Sequence, residues 1–210
     1  MKNGSKIKNF IFDWSGVISD DFHCVYKTYL RIFEHYKKPS MTIDEFRSRF
    51  RLPYMDFCRE YLEIEYEKEM GDIFKKYYVE EKCTPGSIDG VENTLKRLVG
   101  KNKTLVVLSS HSFVTREAQR YFPGESYFLK IYEDIPDKEA AITDVIKEMG
   151  FDPQETVFIG DMVHDVKAGK KANLLTIAVL TGYQSKDVLE REKPDFILNS
   201  LQDIFKTIPM

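Results

Sequence analysis

Short apolar runs and amphipathic stretches alternate from residue 103 onward. "TLVVLSS" at 104–110 reads as a buried strand, "SFVTREAQRYF" at 112–122 as a helix and "YFLKIY" at 127–132 as a weaker strand. In "DKEAAITDVIKEMG" (137–150), Ala141, Ile142, Val145, Ile146 and Met149 fall on one helical stripe, and Gly150 with Pro153 beyond it marks the stop. "TVFIG" (156–160) predicts a strand, "VKAGKKAN" a short helix, "LLTIAVL" (174–180) a strand and "DFIL" (195–198) a last strand, with a helix from about Leu201. Residues 6–12 supply one more strand ahead of these. Strands separated by helices predict right-handed crossovers and a mostly parallel sheet with helices on both faces. The expected fold is α/β, doubly wound and Rossmann-like.

Residues 21–82 break this rhythm. They contain no convincing β run and predict helices over 21–37, 42–51, about 54–63 and 65–82. "TIDE" (42–45) forms a Thr-x-x-Glu capping box after Pro39-Ser40, and "CTPGS" (83–87) marks the return to the sheet. The expected organisation is a core of residues 1–20 and 83–210, with an all-helical insertion at 21–82 and a core helix from near Ile88. Tyr26, Tyr29, Phe33 and Phe46 suit the interior of that helical bundle.

A length of 210 residues suits one domain with an insertion, or two small domains. A net charge of -3 gives no bulk attraction for nucleic acid or anionic lipid, so an anionic ligand must be held by local positive charge. Cys24, Cys58 and Cys83 are widely spaced, and the four histidines form no ligand-spaced motif. That pattern predicts reduced thiols and no zinc site. The N-terminal apolar stretch is too short for a signal segment or a membrane span. A soluble, cytoplasmic protein is expected, with neither nucleic-acid nor membrane partners.

Ligands of open parallel sheets sit beyond the carboxyl ends of the strands. Asp13 and the Ser15-Gly16 turn follow the first strand, and Ser109-Ser110 follow the second. Gly160-Asp161 and, four residues on, Asp165 follow "TVFI", while Lys138 opens the preceding helix. A carboxylate nucleophile, a hydroxyl, an ammonium and a further pair of carboxylates on one edge suit phosphoryl transfer. Acids hold a divalent cation, lysine neutralises a phosphate and serine donates to it. Lys130 competes with Lys138, but it lies inside an apolar strand pattern. Ser110 can share the role of Ser109, His111 can touch a substrate phosphate, and Asp161 and Asp165 can simply cap the next helix.

In order, and over nearly the whole chain, these segments resemble the four motifs of the haloacid dehalogenase-like phosphohydrolases, in the phosphoglycolate phosphatase and phosphonatase-like branch. Asp13 matches the nucleophile of motif I, Ser109 the hydroxyl of motif II, Lys138 the lysine of motif III and "GDMVHD" (160–165) the GDxxxD of motif IV. The insertion lies where that family carries a helical cap. The resemblance implies Mg²⁺-dependent hydrolysis of a small phosphorylated metabolite through an aspartyl-phosphate on Asp13. It implies Mg²⁺ ligation by Asp13, Asp161 and the backbone carbonyl of Ser15, with Asp165 a ligand or a brace for Lys138. Gly16, Ser109, Ser110 and Lys138 are the implied substrate contacts.

One position departs from the pattern. Most phosphatases of the family carry a second aspartate where this chain has Ser15, and proton transfer by that group is worth about 10²–10⁴-fold. A hydroxyl cannot replace it near neutral pH. Either the enzyme is slow, borrows a group such as Asp20 or Asp21, or takes a substrate with a good leaving group such as an acyl phosphate. Or it transfers phosphate to an acceptor other than water, or binds a phosphorylated ligand with negligible turnover. Phosphonoacetaldehyde hydrolases also carry a small residue there, but they need a cap lysine, and "MTIDEFRSRFRLPYMDFCREYL" (41–62) has none. Of Arg47, Arg49 and Arg51, at most two share a helix face, and one can reach an anionic substrate tail.

Overall fold

The computed structural model describes residues 6–208; the outermost residues of the expected core, 1–5 and 209–210, lie outside them. Six parallel strands form one sheet: β1 (Asn9–Phe12), β2 (Thr104–Leu108), β3 (Lys130–Tyr132), β4 (Thr156–Gly160), β5 (Leu175–Val179) and β6 (Phe196–Leu198). Their order is β3-β2-β1-β4-β5-β6. The period of two along each strand sorts the side chains. Phe10, Phe12, Leu105, Val107, Val157 and Ile159 enter one apolar layer, and Ile11, Val106, Leu108 and Phe158 the other. Burial on both faces is why these strands read as continuous apolar runs rather than as alternations.

Helices α5 (Val91–Gly100), α6 (Val114–Tyr121) and α10 (Ile204–Thr207) contribute to the first layer. Helices α7 (Lys138–Met149) and α8 (Val163–Lys171) contribute to the second, and α9 (Lys186–Arg191) packs Leu189 beside β5. Four boundaries differ from the expectations. The helix expected near Ile88 begins at Val91, after Gly90 turns the chain at φ 76°. The strand expected at 127–132 is reduced to three residues, because it is an edge paired only with β2. A 3₁₀ turn at Leu201–Asp203 precedes α10. Helix α9 was not anticipated; its six residues are too short to establish a period.

Between β1 and α5 lie α1 (Phe22–His35), α2 (Ile43–Arg49), α3 (Tyr54–Leu62) and α4 (Glu67–Glu80). The capping box at the start of α2 is formed, with Thr42 and Glu45 satisfying each other's backbone N–H. Tyr29, Phe33, Phe46 and Phe57 are buried in a separate apolar cluster, which also takes in Met162 and Tyr183 from the loops after β4 and β5. The helical segment thus rests directly on the carboxyl edge of the sheet. Its two connections run side by side: Asp20 N–H donates to Gly86 O at 2.9 Å and Ile88 N–H to Ile18 O at 2.8 Å.

The expectation of three reduced thiols is corrected here. Cys24 and Cys83 form a disulfide, with Cα atoms 5.6 Å apart, and only Cys58 remains free and buried. A separation of 59 residues hid the pairing; the start of α1 and the residues after α4 meet because those two helices pack together. Among the described residues, no helix is long and apolar enough to cross a membrane.

Candidate active site

The strand order reverses direction across β1 and β4, so the crevice at their carboxyl ends is the ligand position that the topology favours. Asp13 stands at that point. Its backbone N–H donates to Ile159 O at 2.8 Å and extends the β1–β4 ladder by one residue. Gly16 then turns the chain at φ 72°, and a Cβ there would lie 2.6 Å from Asp161 Oδ2 and 2.7 Å from Gly182 Cα. Only glycine lets this turn back directly onto the second acid.

Lys138 is 1% exposed, and its Nζ lies 2.7 Å from both Asp13 Oδ1 and Asp165 Oδ1. Burial pulls its pKa down, but the two carboxylates more than offset this and raise it, so the group stays an ammonium. Its backbone is fixed as well, by an N–H donated to His164 Nε2 at 3.3 Å. Lys130, the competing lysine, is at the surface and pairs with Glu148. Asp165 has both oxygens engaged: Oδ1 accepts from Lys138, while Oδ2 accepts from the backbone N–H groups of Asp161 and Met162 at 3.2 and 3.1 Å and so caps α8.

Asp13 Oδ1 also accepts from the Trp14 N–H at 2.7 Å, which leaves Oδ2 outside both contacts. Asp161 Oδ2 accepts from Tyr183 N–H at 2.6 Å, whereas its Oδ1 is buried with no donor at all. Burial first, and then neighbouring acids, push the pKa of Asp161 well up; burial also raises that of Asp13, against the charge of Lys138. Ligand oxygens of Asp13, Asp161 and Asp165 all lie within 4.8 Å of one another. Three buried carboxylates share one ammonium, and one oxygen is unsatisfied. This all-oxygen set fits a hard divalent cation, whose charge would bring those pKa values back down.

The other flank of Asp13 is built from scattered pieces. Ser15 is half-buried beside the buried Asp21, which accepts from Tyr183 OH at 3.0 Å. Burial pushes Asp21 up to about 6, with the Ser15 contact and the charge of His111 opposing it. Asp20 is exposed. Ser109 is buried at the end of β2, and its Oγ accepts from His111 N–H at 3.2 Å; Ser110 is exposed. His111 Nε2 lies 3.4 Å from Glu117 Oε2, which itself accepts from Trp14 Nε1–H at 2.6 Å.

Asp13, Gly16, Ser109, Lys138, Asp161 and Asp165 therefore gather at one strand edge, with Ser15 beside them and Ser110 turned to solvent. Tyr183, His164, Glu117 and Gln184 were not anticipated. Gln184 Oε1 accepts from Val163 N–H at 2.6 Å and its Nε2 donates to Phe50 O at 2.9 Å, tying motif IV to the helical segment. The signal for Tyr183 and Gln184 is their position: they lie just past the carboxyl end of β5, as Asp13 and Asp161 lie past those of β1 and β4. A cavity of about 840 Å³ opens between Arg49, Pro53 and Tyr61 on one side and His164, Lys171 and Gln184 on the other; Asp13 and Lys138 do not line it. Arg51 pairs with Glu60, while the Arg47 guanidinium sits 4.3 Å over the Phe22 ring with a buried, unpartnered Nε.

A family model described as haloacid dehalogenase-like hydrolase matches residues 10–179. A pyrophosphatase PpaX from Oceanobacillus iheyensis is 23% identical over 210 residues, covering 96% of this chain and 97% of that protein. A phosphoglycolate phosphatase from Synechococcus elongatus is 27% identical over 122 residues, which is 57% of this chain and 58% of that one. Among solved structures, a putative phosphatase from Clostridium difficile superposes with a TM-score of 0.76 at 21% identity, covering 96% of this chain and 98% of that one.

Proposed function

The chain belongs to the haloacid dehalogenase-like hydrolases, and we propose that within that family it hydrolyses a small phosphorylated metabolite with Mg²⁺, through an aspartyl-phosphate on Asp13. The observation that carries this reading is the state of the Asp13 carboxylate. Lys138 and the Trp14 N–H both hold Oδ1, so Oδ2 is the oxygen left to attack phosphorus. Attack forms the Oδ2–P bond and breaks the bond from phosphorus to the leaving oxygen. Water then attacks the same phosphorus and releases the carboxylate. Lys138 supplies a fixed positive charge beside the reacting group, and the Ser109 hydroxyl is available to donate to a phosphoryl oxygen.

Asp13 and Asp161, with the Ser15 carbonyl, would hold Mg²⁺, and Asp165 braces Lys138 through Oδ1. When bound, the ion supplies charge neutralisation for the phosphoryl oxygens. The helical segment, residues 21–82, acts as a lid: Asp13 is 6% exposed, and the cluster that includes Met162 and Tyr183 must part to admit substrate. Relatives named for phosphoglycolate and pyrophosphate support a small acid phosphate or a phosphoanhydride as substrate.

Phosphate release with Mg²⁺ tests this on sugar phosphates, acyl phosphates, nucleotides, pyrophosphate and an activated aryl phosphate. Wild type should turn over at least one of them, and Asp13→Asn should lose at least about 10³-fold. Ser15 favours one competing reading, a phosphate-ligand-binding protein without turnover. Tight phosphate-analogue binding with no Asp13-dependent release on the whole panel would replace hydrolysis by that reading.

A further inference from the structure

A leaving oxygen that is not already stable as an anion needs a proton, and Ser15 cannot supply one. Near it, however, stands an imidazole in an arrangement that proton carriers use. Glu117 Oε2 faces His111 Nε2 at 3.4 Å and is itself anchored by the indole N–H of Trp14, the residue between Asp13 and Ser15. The backbone of His111 is pinned to Ser109 Oγ, and its carbonyl accepts from Asp134 N–H at 3.1 Å. Nε2 is buried and makes no hydrogen bond, so Glu117 meets it as a charge at 3.4 Å, and Nδ1 is the nitrogen left to meet a substrate. The side chain is 31% exposed, so it can meet a substrate.

We propose that His111, oriented by Glu117, is the proton carrier this chain uses in place of the aspartate missing at Ser15. This rests on the phosphohydrolase reading. As Asp13 Oδ2 attacks and the bond to the leaving group breaks, the electron pair of that bond stays on the leaving oxygen, which takes the proton of the His111 imidazolium. The neutral imidazole then removes a proton from the water that attacks the aspartyl-phosphate. The Asp13–phosphorus bond breaks, and the carboxylate and imidazolium are restored together.

The charges around the ring suit the acid role. Glu117 faces it from α6, Asp21 from the turn before α1 and Asp13 from the end of β1, while Arg120, 3.9 Å from the other oxygen of Glu117, partly offsets that acid. Burial pulls the His111 pKa down, but these three acids overcome it and leave the pKa above the ordinary 6.5. These charges shift the ring toward its charged, donating form.

The test is a leaving-group series: a sugar phosphate, an acyl phosphate and an activated aryl phosphate, with wild type, His111→Gln, His111→Asn, Glu117→Gln and Asp21→Asn. His111→Gln and His111→Asn should lower kcat on the sugar phosphate by about 10²–10³-fold. On the acyl and aryl phosphates the loss should stay below about tenfold, since those oxygens need little protonation. Glu117→Gln should lose less and move the alkaline limb of the sugar phosphate pH profile to lower pH; the two His111 variants should abolish that limb. Equal losses on all three substrates, or no loss, would overturn the proposal. So would a leaving-group-dependent loss in Asp21→Asn that both His111 variants lack. Acyl phosphate hydrolysis that requires Asp13 reports on the phosphohydrolase reading in the same series; its absence from wild type overturns both.

Discussion

The two flanks of Asp13 are built on different principles. Toward β4, Lys138, Asp165 and Asp161 are buried, and nearly every polar atom has a donor or acceptor within about 3 Å. Toward β2 and α1, Ser15, Asp21, His111 and Glu117 are less regular: one serine is half-buried, one acid is held by a single hydroxyl, and one imidazole is partly open to solvent. The first flank is a fixed electrostatic frame. On the second, protonation states are free to change, which is what a proton-transfer site requires.

The largest test of that contrast removes the charge at the centre of the frame. Lys138→Ala leaves Asp13 and Asp165 buried without their cation, and breaking a buried pair in this way should cost about 3–5 kcal/mol in urea unfolding. A loss below about 1 kcal/mol would mean that the frame is not stabilised by this contact.

Mg²⁺ should act in the opposite sense. At about 100 times its dissociation constant it should stabilise wild type by about 2.7 kcal/mol, and Asp161→Asn should show little of this in the same thermal scan. An equal Mg²⁺ response in that variant would place the ion elsewhere.

On the flexible flank, Ser15→Asp sets one carboxyl against another at Asp21. One of them must stay protonated, and we expect a cost of roughly 1–3 kcal/mol. Adding Asp21→Ser should return most of that stability, because it removes one of the two opposed carboxyls. A double variant no more stable than the single one would show that Ser15 and Asp21 are not coupled. Lys130→Ala is expected to change neither turnover nor Tm, since its partner Glu148 is at the surface; a loss of activity there would reopen the choice between the two lysines.

The same contrast explains what could be read from the chain. The frame comes from residues that directly end or begin sheet and helix elements: Asp13 after an apolar run, Lys138 opening a capped helix, Asp161 and Asp165 after "TVFI". Short-range pattern suffices for such residues, and it located the six strands and four inserted helices to within a few positions. The other flank joins Ser15, Asp21, His111, Glu117 and Tyr183, which come from three separate stretches of the chain, 15–21, 111–117 and 183. Nothing local in "VTREAQ" distinguishes Glu117 from a solvated helix acid; it matters because α6 packs where the Trp14 indole can reach it. The disulfide was illegible for the same reason, since its two cysteines are brought together only by the packing of α1 on α4.

That disulfide makes the helical segment a covalent ring. The linkage between Cys24 and Cys83 spans 59 residues, so a single peptide bond cut anywhere inside it leaves the molecule in one piece. In the denatured ensemble the ring cannot open, and the chain-entropy argument values that restriction at about 4 kcal/mol for a loop of this size. A protease clip at the α3–α4 turn would then split the chain on a reducing gel but not on a non-reducing one. The two segments flanking the ring, which carry Asp13 and Lys138, would stay tethered at a fixed local concentration even after the helical segment is nicked.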